Sequence, residues 1–117
     1  MYKITHIMIK AYIINRCNER IKVSQLLNRD VDLYEKAMLL KFNMQNVLSP
    51  RSICKYLLDN MDVLKDIITK AAPYSKNWKA YQNKLEQLEA LREYAESYVS
   101  VGAVRQSIDC MVMRRGI

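Results

Sequence analysis

Apolar residues recur at spacings of three and four along most of the chain, the period of helices with one buried stripe. The best-marked run is 75–99, SKNWKAYQNKLEQLEALREYAESYV. Its apolar positions are Trp78, Tyr81, Leu85, Leu88, Leu91, Ala95, Tyr98 and Val99. They predict one long amphipathic helix over about residues 76–99. Pro73 lacks an amide donor and restrains Ala72, so it ends the preceding element. Ser75 is the expected N-cap and Gly102 the expected stop.

Four further segments carry helical patterns. In 2–15, Ile4, Ile7, Met8, Ala11 and Ile14 share a helical face, with Ile9 and Ile13 off it. The segment's β-branched residues favour a strand, and its length without a turn residue favours the helix. That helix is apolar nearly all round, so it is expected at the centre of the core or under a partner. Residues 16–31 read as polar and irregular, with Ser24 starting one short turn. Asp32 and Glu35 have the spacing of a capping box before a helix over about 32–45. Leu33, Ala37, Leu40 and Met44 form its inward stripe, widened by Tyr34, Met38 and Phe42.

Ser49-Pro50 pairs an N-cap residue with a proline at the first helical position. Ile53, Leu57, Met61, Leu64, Ile68 and Ala71 continue that stripe to Ala72. Asp59, Asn60 and Asp62 predict a break in its middle, with Asp62 capping the second piece. After Gly102, residues 103–115 read as a last helix with Val104, Ile108, Met111 and Val112 inward. A turn at Gly102 would bring Arg114 and Arg115 back near Glu86 and Glu89. The expected fold is therefore all-α, a compact bundle of four to six helices in a single domain over 1–117.

Composition sharpens this reading. Gly and Pro number two each among 117 residues, too few for the turns of an all-β fold. Half the residues are hydrophobic, enough for a core and against disorder. No stretch approaches the length of uncharged apolar residues needed to span a bilayer, so no membrane partner is expected. The opening apolar run lacks a small-residue cleavage site, so no secretory signal is read. Cys17, Cys54 and Cys110 are odd in number and widely spaced, with His6 the only histidine. That pattern supports neither a zinc site nor a disulfide framework, and it fits free thiols in the reducing cytoplasm.

Net charge is +7, and the excess sits at the ends. Residues 1–24 carry a net of +4, 100–117 a net of +2 and 25–99 only +1. Such a balance admits nucleic acid or acidic partners. Within the long helix the charges are sorted against its dipole, with Lys76, Lys79 and Lys84 early and Glu86, Glu89, Glu93 and Glu96 late. The four glutamates form one ridge, either a solvated edge or a docking surface for basic groups.

No phosphate-binding glycine loop, nucleophile motif or Glu-x-x-His metal arrangement is present. The chain reads as non-enzymatic, with no cofactor. The first function class is a protein-binding regulator, with Trp78, Tyr81, Glu86, Glu89, Glu93 and Glu96 as candidate contacts. Tyr74, Tyr94 and Tyr98 extend the aromatic set, because Tyr and Trp anchor interfaces. Its partner would be a protein or a nucleoprotein complex, with a homodimer as a further option. Size and lysine, isoleucine and asparagine richness associate it with phage or mobile-element accessory proteins. The second class is a DNA- or RNA-binding regulator with a helix-turn-helix-like segment over about 33–58. There Arg51, Ser52, Lys55 and Tyr56 would face the groove, with Arg114 and Arg115 on phosphates.

Overall fold

A computed structural model describes the backbone of residues 4–27, 31–74 and 77–114, and the side chains of 4–26, 31–74 and 77–100. The described residues form five α-helices: α1 (His6–Leu27), α2 (Val31–Gln45), α3 (Pro50–Asp59), α4 (Met61–Ala71) and α5 (Trp78–Arg114). A 3-10 turn, Ala72–Tyr74, follows α4. The all-α bundle expected from the sequence is the observed fold.

The first helix starts at a cap that apolar periodicity does not mark. The Thr5 side-chain oxygen accepts from the Met8 amide at 3.4 Å, which satisfies one orphan donor of the first turn. α1 then runs on through residues 16–27, which the pattern had marked as irregular. The polar appearance of that half has a physical origin. Its inward positions include Arg20 and Ser24, both buried, beside Cys17 and Val23. Two of its other charges pair with each other. Arg16 pairs with Glu19 at 3.2 Å and stacks over the Tyr12 ring at 5.3 Å.

The inward face of α1 is also not the one expected. Ile9 and Ile13 are fully buried with Tyr12, whereas Ile7 and Ala11 face solvent. In a helix apolar nearly all round, periodicity does not choose the face; packing does.

α1 and α2 form an antiparallel hairpin. Lys10 near the start of α1 donates to the carbonyls of Gln45 (3.4 Å) and Val47 (3.1 Å) at the end of α2. A cation there satisfies orphan carbonyls and suits the helix dipole. Leu33, Ala37, Leu40 and Met44 are all buried, as the stripe predicted. Asp32 lies in the first turn of α2 and not at its cap, because Val31 is already helical.

Ser49 and Pro50 open α3 as expected. Ser49 is extended (φ −72°, ψ 131°), and its carbonyl accepts from the Ile53 amide at 2.9 Å. Its hydroxyl makes no capping bond. The break falls at Asn60 (φ −115°, ψ 19°), whose amide donates to the carbonyls of Tyr56 and Leu57. Asn60, not Asp62, holds the cap position of α4, and Asp62 sits in its first turn.

α5 corrects two expectations. Ser75 lies outside the described residues, and the helix is capped by Asn77, whose Oδ1 accepts from the Ala80 amide at 2.8 Å. At the other end the helix does not stop near residue 99. It passes through Gly102 to Arg114, so residues 103–114 continue α5 instead of forming a helix of their own. Glycine in a helix interior costs only about 1 kcal/mol against alanine, so it ends a helix only when another conformation is rewarded. Its 37 residues span about 55 Å at about 1.5 Å per residue, most of the 63 Å long axis of the molecule.

All five helices contribute to one buried cluster, which includes Ile13, Met44, Leu57, Leu64, Ile68, Leu88 and Leu91. α1 is central and touches α2, α3 and α4. α2 packs chiefly on α1, and α5 chiefly on α3. Tyr12 and Glu19 of α1 fasten α5 by donating to the Lys84 carbonyl (2.6 Å) and pairing with the Lys84 ammonium. Burial pushes the Tyr12 phenol well above its ordinary value, because the anion would lose water and face Glu19.

Candidate interaction surfaces

The α5 surface separates into buried and exposed parts. Leu88, Leu91 and Ala95 are in the core, and Tyr81, Leu85, Tyr94 and Val99 pack against it. Tyr81 and Tyr94 are therefore fold residues, as the inward stripe of this helix predicts for Tyr81, and they leave the set of candidate interface aromatics. Trp78 and Tyr98 remain exposed, and the Tyr94 and Tyr98 rings lie 6.1 Å apart.

The acidic ridge is present along α5. Glu86, Glu93 and Glu96 are exposed. Glu89 is half-buried and engaged inside the chain, pairing with Lys65 of α4 at 3.3 Å and with Arg92 at 2.9 Å. The expected return of Arg114 to Glu86 and Glu89 does not occur. Arg114 lies on the same helix, 25 residues beyond Glu89, about 38 Å along a straight axis. Arg115 lies outside the described residues, as do the side chains of Arg114, Val104, Ile108, Met111 and Val112.

The helix-turn-helix-like segment corresponds to α2 and α3. Their connection is four residues, Asn46 to Ser49. Arg51, Ser52 and Lys55 are exposed on α3. Tyr56 is half-buried and donates its hydroxyl to the Leu40 carbonyl at 3.2 Å, so it ties α3 to α2. Asp59, one turn beyond Lys55, is exposed on the same side of α3. α2 and α3 each pack mainly on other helices, α2 on α1 and α3 on α5 and α1.

The feature that periodicity misassigned is the outer face of α2. Met38 and Phe42 do not widen the inward stripe. With Val31 and Leu39 they point to solvent, Val31 at 65%, Leu39 at 60% and Phe42 at 64% exposure. Val31, Met38 and Phe42 are seven and four residues apart, which is a second apolar stripe on the opposite side of the helix, interrupted by the exposed Glu35 between Val31 and Met38. Leu48, just beyond α2, and Ile7, near the Lys10 bridge, are exposed at the same end of the hairpin. The signal was available in the sequence as two interleaved stripes in one helix. Burial of either was possible until the neighbours were known.

The remaining chemistry is sparse. An open cleft between α2 and α4 is lined by Lys36, Asp62, Val63, Lys65, Asp66 and Thr69, so both charge signs meet there. Cys17 and Cys54 are buried free thiols, and burial pushes both upward, Cys17 to about 11. Such thiols are poor nucleophiles at neutral pH. Among the described residues, no group of three His, Cys, Asp or Glu side chains is placed to hold a metal ion. None of the described helices is long and apolar enough to cross a membrane. Comparison with known proteins finds no matching family, no similar curated protein and no similar solved structure.

Proposed function

We propose that the chain is a non-enzymatic helical binding protein that acts through protein–protein contacts, with the outer face of α2 as its principal surface. The observation that carries this reading is the second apolar stripe, Val31, Met38 and Phe42 with Leu39 beside it. Burying such side chains is worth on the order of 1–2 kcal/mol each, and the fold leaves that gain unused. Exposed apolar residues grouped on one helix face, here Met38, Leu39 and Phe42 with Val31 beyond the exposed Glu35, mark interaction sites. Glu86, Glu93 and Glu96, exposed on α5, offer a second, electrostatic contact for a basic partner.

The test compares the wild-type chain with a Met38→Gln, Phe42→Ser variant. Affinity capture from the native host, read by mass spectrometry, is expected to lose its specific partner with the variant. Circular dichroism is expected to be unchanged. Molar mass across concentration shows whether that partner is a second copy. Capture that is unaltered by the variant would overturn the reading. Charge reversal at Glu86, Glu93 and Glu96 is expected to weaken capture and to reduce its salt dependence.

A further inference from the structure

We infer that the corner between α4 and α5 is a binding site for single-stranded nucleic acid, built from Tyr74, Trp78, Lys70 and Lys79. The inference is independent of the outer face of α2.

From Ile67 to Leu85 the chain contains no aspartate or glutamate and four lysines, Lys70, Lys76, Lys79 and Lys84. A run of 19 residues carrying only positive charge is unusual in a region otherwise close to balance. Lys84 is committed to Glu19 of α1. Lys70, in the last turn of α4, and Lys79, in the first turn of α5, are exposed on either side of the corner.

Two exposed aromatic residues lie between these two lysines in the sequence. Tyr74 is 54% exposed and Trp78, the single tryptophan of the chain, is 64% exposed. Indole and phenol rings bury large areas in cores and interfaces, so leaving both in water forgoes a substantial gain. The core does not require them. α5 supplies Leu88, Leu91 and Ala95 to it, and the adjacent Tyr81 packs against it.

The occupant follows from the combination. An acidic peptide would use the lysines but has no need of two flat faces. An apolar protein surface would use the rings and be opposed by the lysines. An anionic bilayer surface would call for aliphatic side chains to penetrate it. Here Ile67 and Ile68 are buried, Leu85 is packed inward, and the exposed large apolar residues at this corner are aromatic. Single-stranded nucleic acid needs both features at once, cations for its phosphates and π-faces for its unpaired bases. A duplex keeps its base faces stacked and would use only the lysines. At the α5 N-terminus Asn77 Oδ1 takes the Ala80 amide, one of the four orphan donors of the first turn. The full positive charges at the corner are those of the lysine side chains.

Trp78 reports on its own site, since no other tryptophan contributes to the emission. Titration with a short oligothymidylate is expected to quench Trp78 fluorescence saturably. Affinity is expected to fall as salt rises from about 50 to about 200 mM. With a labelled oligonucleotide and anisotropy, Trp78→Ala and Tyr74→Ala are each expected to weaken binding about ten-fold. Lys70→Glu with Lys79→Glu is expected to remove most of the salt dependence. These positions are exposed, so circular dichroism is expected to stay unchanged. The Met38→Gln, Phe42→Ser variant is expected to titrate like the wild type, which separates this site from the α2 surface. Several results would overturn the inference: no quenching at low salt, equal binding by the Trp78→Ala, Tyr74→Ala double variant, equal quenching by duplex, or binding to vesicles of anionic lipid without binding to the oligonucleotide.

Discussion

α2 and α4 are both short helices that bury one clean stripe, and they differ in what they do with the other side. α4 buries Met61, Leu64, Ile67, Ile68 and Ala71 and shows solvent Asp62, Asp66, Thr69 and Lys70. That division is what folding alone asks of a surface helix. α2 buries Leu33, Ala37, Leu40 and Met44 and then shows solvent Val31, Met38, Leu39 and Phe42. Its outer face exceeds what the fold needs. The contrast separates two reasons for an apolar residue to be present, and it makes α2 the helix whose composition points beyond the monomer.

The comparison is broken most directly at the buried faces. Leu64→Ala on α4 and Met44→Ala on α2 both remove fully buried side chains. Each is expected to cost about 2–5 kcal/mol in a denaturant titration. A Met44→Ala loss below about 1 kcal/mol, beside a full loss at Leu64, would mean that α2 docks only loosely.

Alkaline unfolding sharpens the same point. Cys17 on α1 is sealed where α2 and α3 meet it, and burial raises its thiol from 9.0 to about 11, with Lys41 partly opposing. The unfolded chain ionises first, so Cys17 contributes fully below pH about 9. That contribution, about 2–3 kcal/mol, is lost as pH rises toward about 11. Cys17→Ala is expected to flatten this part of the stability profile, measured by urea midpoints at a series of pH values. An unchanged slope would place the thiol in a wetter site than the packing indicates.

A smaller effect is expected at Tyr56, whose hydroxyl bonds the Leu40 carbonyl and links α3 to α2. Tyr56→Phe is expected to cost about 1 kcal/mol. The least effect on stability is expected at the outer face. Phe42→Ser should change the unfolding free energy by no more than about 0.5 kcal/mol, because the side chain is already in water. A loss near that of Met44→Ala would show that Phe42 belongs to the fold, and the contrast between the two helices would collapse.

Much of the helical plan was legible in the residues. Ser49-Pro50, the polar cluster at Asn60 and the α2 and α4 stripes are local signals, and local signals survive folding unchanged. Three features were not legible, each for a physical reason. The second half of α1 looked irregular because its inward positions include Arg20 and Ser24, whose burial depends on neighbours. The end of α5 was misplaced because Gly102 weakens a helix without ending it. The candidate surface on α2 was read as core because two apolar stripes on one helix are equivalent until one finds a partner.

What the chain determined by itself is therefore the helical period and the breaks at Ser49 and Asn60, and, outside the β-branched opening segment, the choice of helix over strand, set by side-chain spacing and scarce glycine and proline. The tertiary structure decided which face of α1 and α2 is inside, which tyrosines of α5 are core, and which aromatic rings are left at the α4–α5 corner. Those choices are made by competition among apolar faces for a core of limited volume. That competition is non-local, and no window of sequence contains it.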